Sequence, residues 1–281
     1  MTAIVLALVS ALAYGTSDFI GGLLSGRVSA WTVAWFGQLA GAASAALIGL
    51  VAGGAPTGAD LAWAAVAGIG SGVGCGYLYQ GLSTGRMGVV APISGVGAAI
   101  VPVVAGVLGG ERPAVLAWAG IVLALPAIWL VAREPGRPDA KVSGSVAAGV
   151  LDGVVAGAGF GMSFALMGQV GGGAGAWPTA VNLLTATVVV TAMALVLRQP
   201  WLPRSARVWP AIFTGILGAL ALVLFVEATQ HGFLAITGVI TSLYPAATIA
   251  LATLVLREPV HRAQAFGMAL CAAAVALVAT G

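Results

Sequence analysis

Three carboxylates, Asp18, Asp152 and Glu227, stand inside long apolar runs. An ionisable side chain in hydrocarbon costs about 2.5–3.5 kcal/mol on insertion scales, so each is a candidate for function. The chemistry open to them is the binding and release of protons. Asp18 lies about two turns before Arg27, and Asp152 about two turns into a later run. Two carboxylates that share a low-dielectric site cannot both ionise easily, so one would hold a proton. A structural reading stands beside this one, in which each caps a neighbouring helix or meets the snorkelling arginine of an adjacent loop.

Hydroxyls and amides accompany the acids. Tyr14 is one turn from Asp18, with Ser17 between, and Tyr77 is one turn from Gln80. Ser94, Thr241 and Tyr244 sit beside Pro92 or Pro245, where a missing backbone donor frees a carbonyl. These seven side chains are the candidate substrate contacts, although a hydroxyl beside a proline can also simply satisfy that carbonyl. Glu227 occupies the position equivalent to Gln80 near the outer end of its run, where it could reach headgroup water. Glu111 and Glu258 read as structural stops beside Arg112 and Arg257. Metal ligands are not clustered, since His231 and His261 fall in separate loops. Gly171 to Gly175 lacks the Lys-Ser/Thr of a phosphate-cradling loop. Neither a metal nor a cofactor is expected, and no nucleophile–base pair points to an enzyme.

The elements that carry these residues follow from composition. Of 281 residues, 60% are hydrophobic and 7% charged, against about 25% charged in soluble domains. A water-facing surface cannot be built from so few charges, so lipid is the expected outer solvent. A bilayer core about 30 Å thick needs roughly 20 apolar residues per helix. Ten such runs occur, at approximately 3–24, 31–52, 61–82, 87–109, 114–132, 144–167, 177–197, 209–229, 234–256 and 262–280. The first has no basic leader and reads as a span, not a cleaved signal. Trp31, Trp177, Trp201 and Trp209 fall at run edges, where indoles favour the membrane interface. Glycines repeat every fourth residue at Gly68, Gly72 and Gly76, and at Gly149, Gly153, Gly157 and Gly161, as close helix packing in lipid requires. Cys75 and Cys271 lie in apolar runs and give no disulfide framework. A net charge of +3 without a basic patch or stacking motif does not suggest nucleic acid.

The chain is a duplication. An offset of 147 residues pairs Gly85 with Gly232, Glu111 with Glu258 and Gly120 with Gly267. Nearer the starts of the halves, an offset of 146 pairs Tyr14-Gly15 with Phe160-Gly161, Ser17 with Ser163 and Trp31 with Trp177. The seam falls near Arg133 to Lys141, giving halves 1–137 and 138–281. Five spans per half is an odd number, so the halves must sit inverted. The expected fold is therefore an all-α membrane protein of ten transmembrane helices in two inverted five-helix repeats. Of the 11 Lys and Arg residues only Arg112 lies in an even-numbered loop. By the positive-inside rule the odd-numbered loops are cytoplasmic and both termini extracytoplasmic.

These motifs resemble the ten-helix EamA-type branch of the drug/metabolite transporter superfamily. Tyr14-Gly15-Thr16-Ser17-Asp18-Phe19 is similar to that family's Trp-Gly-x-x-Asn-Phe signature, with Tyr14 for the usual Trp and Asp18 for the usual Asn. The segment YLYQGLSTGRMGVVAPIS, the stop Gly110-Glu111-Arg112-Pro113, Ser242-Leu243-Tyr244-Pro245 and Arg257-Glu258-Pro259 carry the rest. Members are usually drawn with cytoplasmic termini, the reverse of what the charge count here gives. The resemblance implies an alternating-access carrier with a cavity lined by spans 1, 3, 4, 6, 8 and 9. It implies a secondary transporter of small organic metabolites in the cytoplasmic membrane, expected to export them, for which Asp18, Asp152 and Glu227 are the candidates for proton coupling. Uptake of a sugar or vitamin is a second transport reading, and an intramembrane enzyme or lipid-acting protein one from another class. A small-molecule substrate and the bilayer are the expected partners, with a homodimer left open.

Overall fold

The apolar runs fold as helices because lipid offers no water to a backbone N–H or C=O, and a helix satisfies both within one segment. The computed structural model describes residues 1–25, 27–83, 87–132, 146–257 and 260–280. In chain order its helices are α1 (Thr2–Ser25), α2 (Ala30–Ala52), α3 (Gly58–Ser83), α4 (Met87–Leu108), α5 (Val115–Ala132) and α6 (Val146–Met167). They continue with α7 (Trp177–Val196), α8 (Ala211–Gln230), α9 (Leu234–Thr241), α10 (Tyr244–Leu256) and α11 (Arg262–Thr280). Ten spans are long and apolar enough to cross a membrane, with α9 and α10 together forming the ninth, Leu234–Leu256. Gly85, Arg86, Arg133, Arg137, Lys141, Glu258, Gly281 and the seam between the halves lie outside the described residues.

Packing repeats between the halves. α3 packs on α6 and α7, and its repeat mate α8 packs on α1 and α2. α4 packs on α6 as α10 does on α1, while α5 packs on its own mate, α11. Exchanging the halves maps each pairing onto another, and the odd number of spans per half makes the repeat inverted. One face of the molecule therefore carries the odd-numbered loops and the other the even-numbered ones.

Two glycines show what close approach demands. A Cβ on Gly15 of α1 would lie 2.5 Å from Ala247 Cβ and 2.6 Å from the Tyr244 carbonyl oxygen of α10. On the mate, Gly161 of α6, it would lie 2.6 Å from Val101 Cβ and 2.8 Å from the Gly97 carbonyl oxygen of α4. Only glycine lets these backbones meet, and in lipid that contact is what holds helices together.

The ninth span is not one helix. Leu243 N–H donates to the Ile240 carbonyl at 3.1 Å, and α10 begins at Tyr244. Pro245 then falls in the first turn of α10, where a missing N–H goes unneeded. The hydroxyls of Thr241 and Ser242 are fully buried at this break, without a hydrogen-bond partner among the described residues. The mate α4 runs unbroken through Pro92 and Pro102.

Carboxylates tie the even-loop face together. Glu111, read from sequence as a stop meeting the interface, accepts from Leu234 N–H at 2.6 Å and Ala235 N–H at 2.9 Å. It thereby caps the first turn of α9, where unsatisfied donors and the positive end of the helix dipole favour an anion. Asp60 caps α3 through Thr57 N–H at 2.8 Å and also accepts from Gly171 N–H at 2.8 Å, joining two even-numbered loops. The interface reading of Trp31 is corrected: it is only 1% exposed and packs among Ala34, Cys75, Val190 and Ala194. Small residues on α7 make room for it near the helix end. Trp209 is 60% exposed.

Candidate functional site

A cavity of about 380 Å³ lies between the halves. Its lining runs along α1 from Tyr14 to Ser25, the last residue of that helix, and includes Ala132, the last of α5. It thus reaches the odd-loop ends of these helices. Toward the even-loop face aromatic rings stand in the way, with Phe164 at 4.7 Å from Phe225 and 6.0 Å from Tyr14, centroid to centroid. The carboxylate links of Glu111 and Asp60 lie beyond them.

Helix geometry decides which side chains arrive. On α1, Tyr14, Ser17 and Asp18 share the face turned to the cavity. Ser17 Oγ donates to the Thr214 carbonyl of α8 at 2.9 Å. Asp18 is exposed in the cavity and makes no hydrogen bond or ion pair among the described residues. Ser94 lines the cavity on α4, but its hydroxyl donates to the Ala91 carbonyl of its own helix at 3.0 Å. Tyr244 follows the helix break and lies 6.2 Å from Tyr14, ring to ring.

The remaining sequence candidates are elsewhere. On α3 the cavity face is Ser71, Cys75, Leu78 and Tyr79, at the spacing of a helical stripe. Tyr77, two residues from Tyr79, points to another side of the helix, and Gln80 is likewise outside the lining. Thr241 is buried behind the break. Asp152 is 6% exposed on α6 and does not line the cavity, so the facing pair with Asp18 is not formed. Under the 146-residue offset the mate of Asp18 is instead Phe164. Glu227 lies at the even-loop end of α8, exposed, with its carboxylate 3.1 Å from His231 Nε2. It meets solvent there and not the cavity.

Sequence reasoning passed over two spans that contribute. α2 supplies Gln38 and α7 supplies Asn182. Asn182 joins a small network with Ser71 and Ser163, whose hydroxyl oxygens are 2.7 Å apart. Ser71 Oγ donates to Asn182 Oδ1 at 3.1 Å, and Asn182 Nδ2 donates to Ser163 Oγ at 3.3 Å. The one side-chain amide in each of these two spans was the available signal. The cavity walls are therefore α1–α4, α6–α8 and α10, with the end of α5, and not six spans alone.

Two inverted five-helix halves around a central cavity, largely apolar with a few polar side chains in its walls, are the architecture of a membrane transporter. The sequence agrees: the profile of the EamA-like transporter family matches residues 1–133 and 147–280, and the chain belongs to that family. A solved crystal structure superposes with a TM-score of 0.74 over 98% of this chain and 95% of that one. At 16% identity it shares the fold alone. No curated protein matches the sequence significantly.

Proposed function

We propose that this chain is a secondary transporter that exports small organic metabolites across the cytoplasmic membrane by alternating access, with proton coupling through Asp18. The observation that carries the reading is the position of that carboxylate. It lies inside a membrane span, faces the cavity and has no hydrogen bond or ion pair among the described residues. An asparagine would keep the hydrogen-bonding capacity without the cost of placing a charge in a span. A retained charge is therefore one the protein uses. The other titratable groups lining the cavity are Tyr14, Cys75, Tyr79 and Tyr244. The candidate substrate contacts are Tyr14, Ser17 and Tyr244, joined by Gln38, Tyr79 and Asn182.

Direction follows from charge bias. The odd-numbered loops hold all but one of the 11 Lys and Arg residues, so their face is assigned to the cytoplasm and both termini to the outside. A cavity reaching that face loads from the cell interior, which suits export. The test is flux into proteoliposomes, screened over small organic solutes with and without an imposed pH gradient. Accumulation that requires the gradient is expected, with simple equilibration in its absence. Flux indifferent to the gradient would remove proton coupling, and no flux of any solute would remove the transport reading.

A further inference from the structure

We infer that the cavity selects an organic cation, a protonated amine attached to an apolar or aromatic body. The inference rests on the transporter reading above and names its substrate class. Asp18 is the one formally charged residue among the described lining, and no Lys, Arg or His joins it. Five aromatic rings, Tyr14, Tyr79, Phe160, Phe164 and Tyr244, share the same walls. A cation over such faces is attracted by their quadrupoles, and a desolvated contact of this kind is strong. A carboxylate in the same cavity supplies the opposite charge. The volume of about 380 Å³ falls in the range of small-molecule sites, roughly 300–1,000 Å³.

Other classes fit worse, each for a stated reason. An anion would meet Asp18 as a like charge with no described cation to offset it. A zwitterion could place its ammonium there, but its carboxylate would find only neutral donors such as Gln38 and Asn182. A neutral polyol would leave Asp18 without a counter-charge in a largely apolar site. Binding an ammonium is the arrangement that leaves no charge uncompensated.

Equilibrium binding tests this with probes that share one skeleton and differ in charge: phenethylamine, phenethyl alcohol, hydrocinnamate and phenylalanine. The full chain is held in lipid nanodiscs at about pH 8, where an alkyl amine is protonated, with no gradient. The amine is expected to bind about tenfold or more tightly than each of the others. Asp18→Asn is expected to lower its affinity by about tenfold or more, to the level of the alcohol. The inference is overturned if any of the other three binds as well as the amine, or if the amine does not bind at millimolar concentration. Retained amine binding in Asp18→Asn overturns it too, and if that variant does not fold, the four probes on the parent chain decide. Because no flux is read, charge selectivity without transport would overturn only the transporter reading. Transport without charge selectivity would overturn only this inference.

Discussion

Tyr14 to Asp18 on α1 and Phe160 to Phe164 on α6 are one segment present twice, and the two copies differ by position in an instructive way. The glycine is common to both, and in both it admits a neighbouring backbone, α10 in one half and α4 in the other. The serine is also common, yet Ser17 bonds a single backbone carbonyl while Ser163 belongs to a three-residue side-chain network. The last position diverges fully. Asp18 faces the cavity toward the odd-loop end of α1, whereas Phe164 packs against Phe225 and Tyr14 toward the even-loop end of α6. Inversion sends equivalent positions to opposite ends of the cavity, so one copy meets the open end and the other the aromatic barrier. Packing keeps the halves alike, and the proposed function rests where they part.

The strongest way to break this comparison is at the glycines. Gly15→Leu and Gly161→Leu should each destabilise by about 3 kcal/mol, since side-chain atoms would be forced into a facing backbone. Thermal unfolding in detergent should show similar falls for both. A large fall for one and none for the other would mean that the glycines do not share a role. The serines should behave unequally. Ser163→Ala strips partners from both Ser71 and Asn182, so it should cost about 1–3 kcal/mol. Ser17→Ala removes one interhelical bond, worth about 0.6 kcal/mol in membranes. Equal losses in the same unfolding assay would contradict the assigned networks.

How far the sequence could be read follows the same division. Span lengths and the repeat are properties of composition and order, so the ten spans and their inversion were legible. The break in the ninth span was not, because proline alone does not decide it: α4 keeps two prolines within one helix. At the cavity, Tyr14, Ser17, Asp18, Ser94 and Tyr244 were legible as polar groups in apolar runs beside repeated motifs. Tyr79 was missed in favour of Tyr77, since two residues along a helix turn a side chain through about 200° and no periodicity in α3 marked the inner face. Gln38 and Asn182 were missed because an uncharged amide raises no alarm where carboxylates do. Asp152 is the converse case: charge and depth made it a candidate, but the side of α6 it faces depends on rotation about the helix, and it lies outside the cavity lining.

The account depends most on Asp18. Asp18→Asn reconstituted in proteoliposomes should still exchange substrate down its concentration gradient once substrate is raised about tenfold or more to offset weaker binding, because the cavity walls and the serine bond of α1 remain. It should lose accumulation driven by an imposed pH gradient. A variant that concentrates substrate as the parent does would show that Asp18 is structural and would contradict proton coupling at this site.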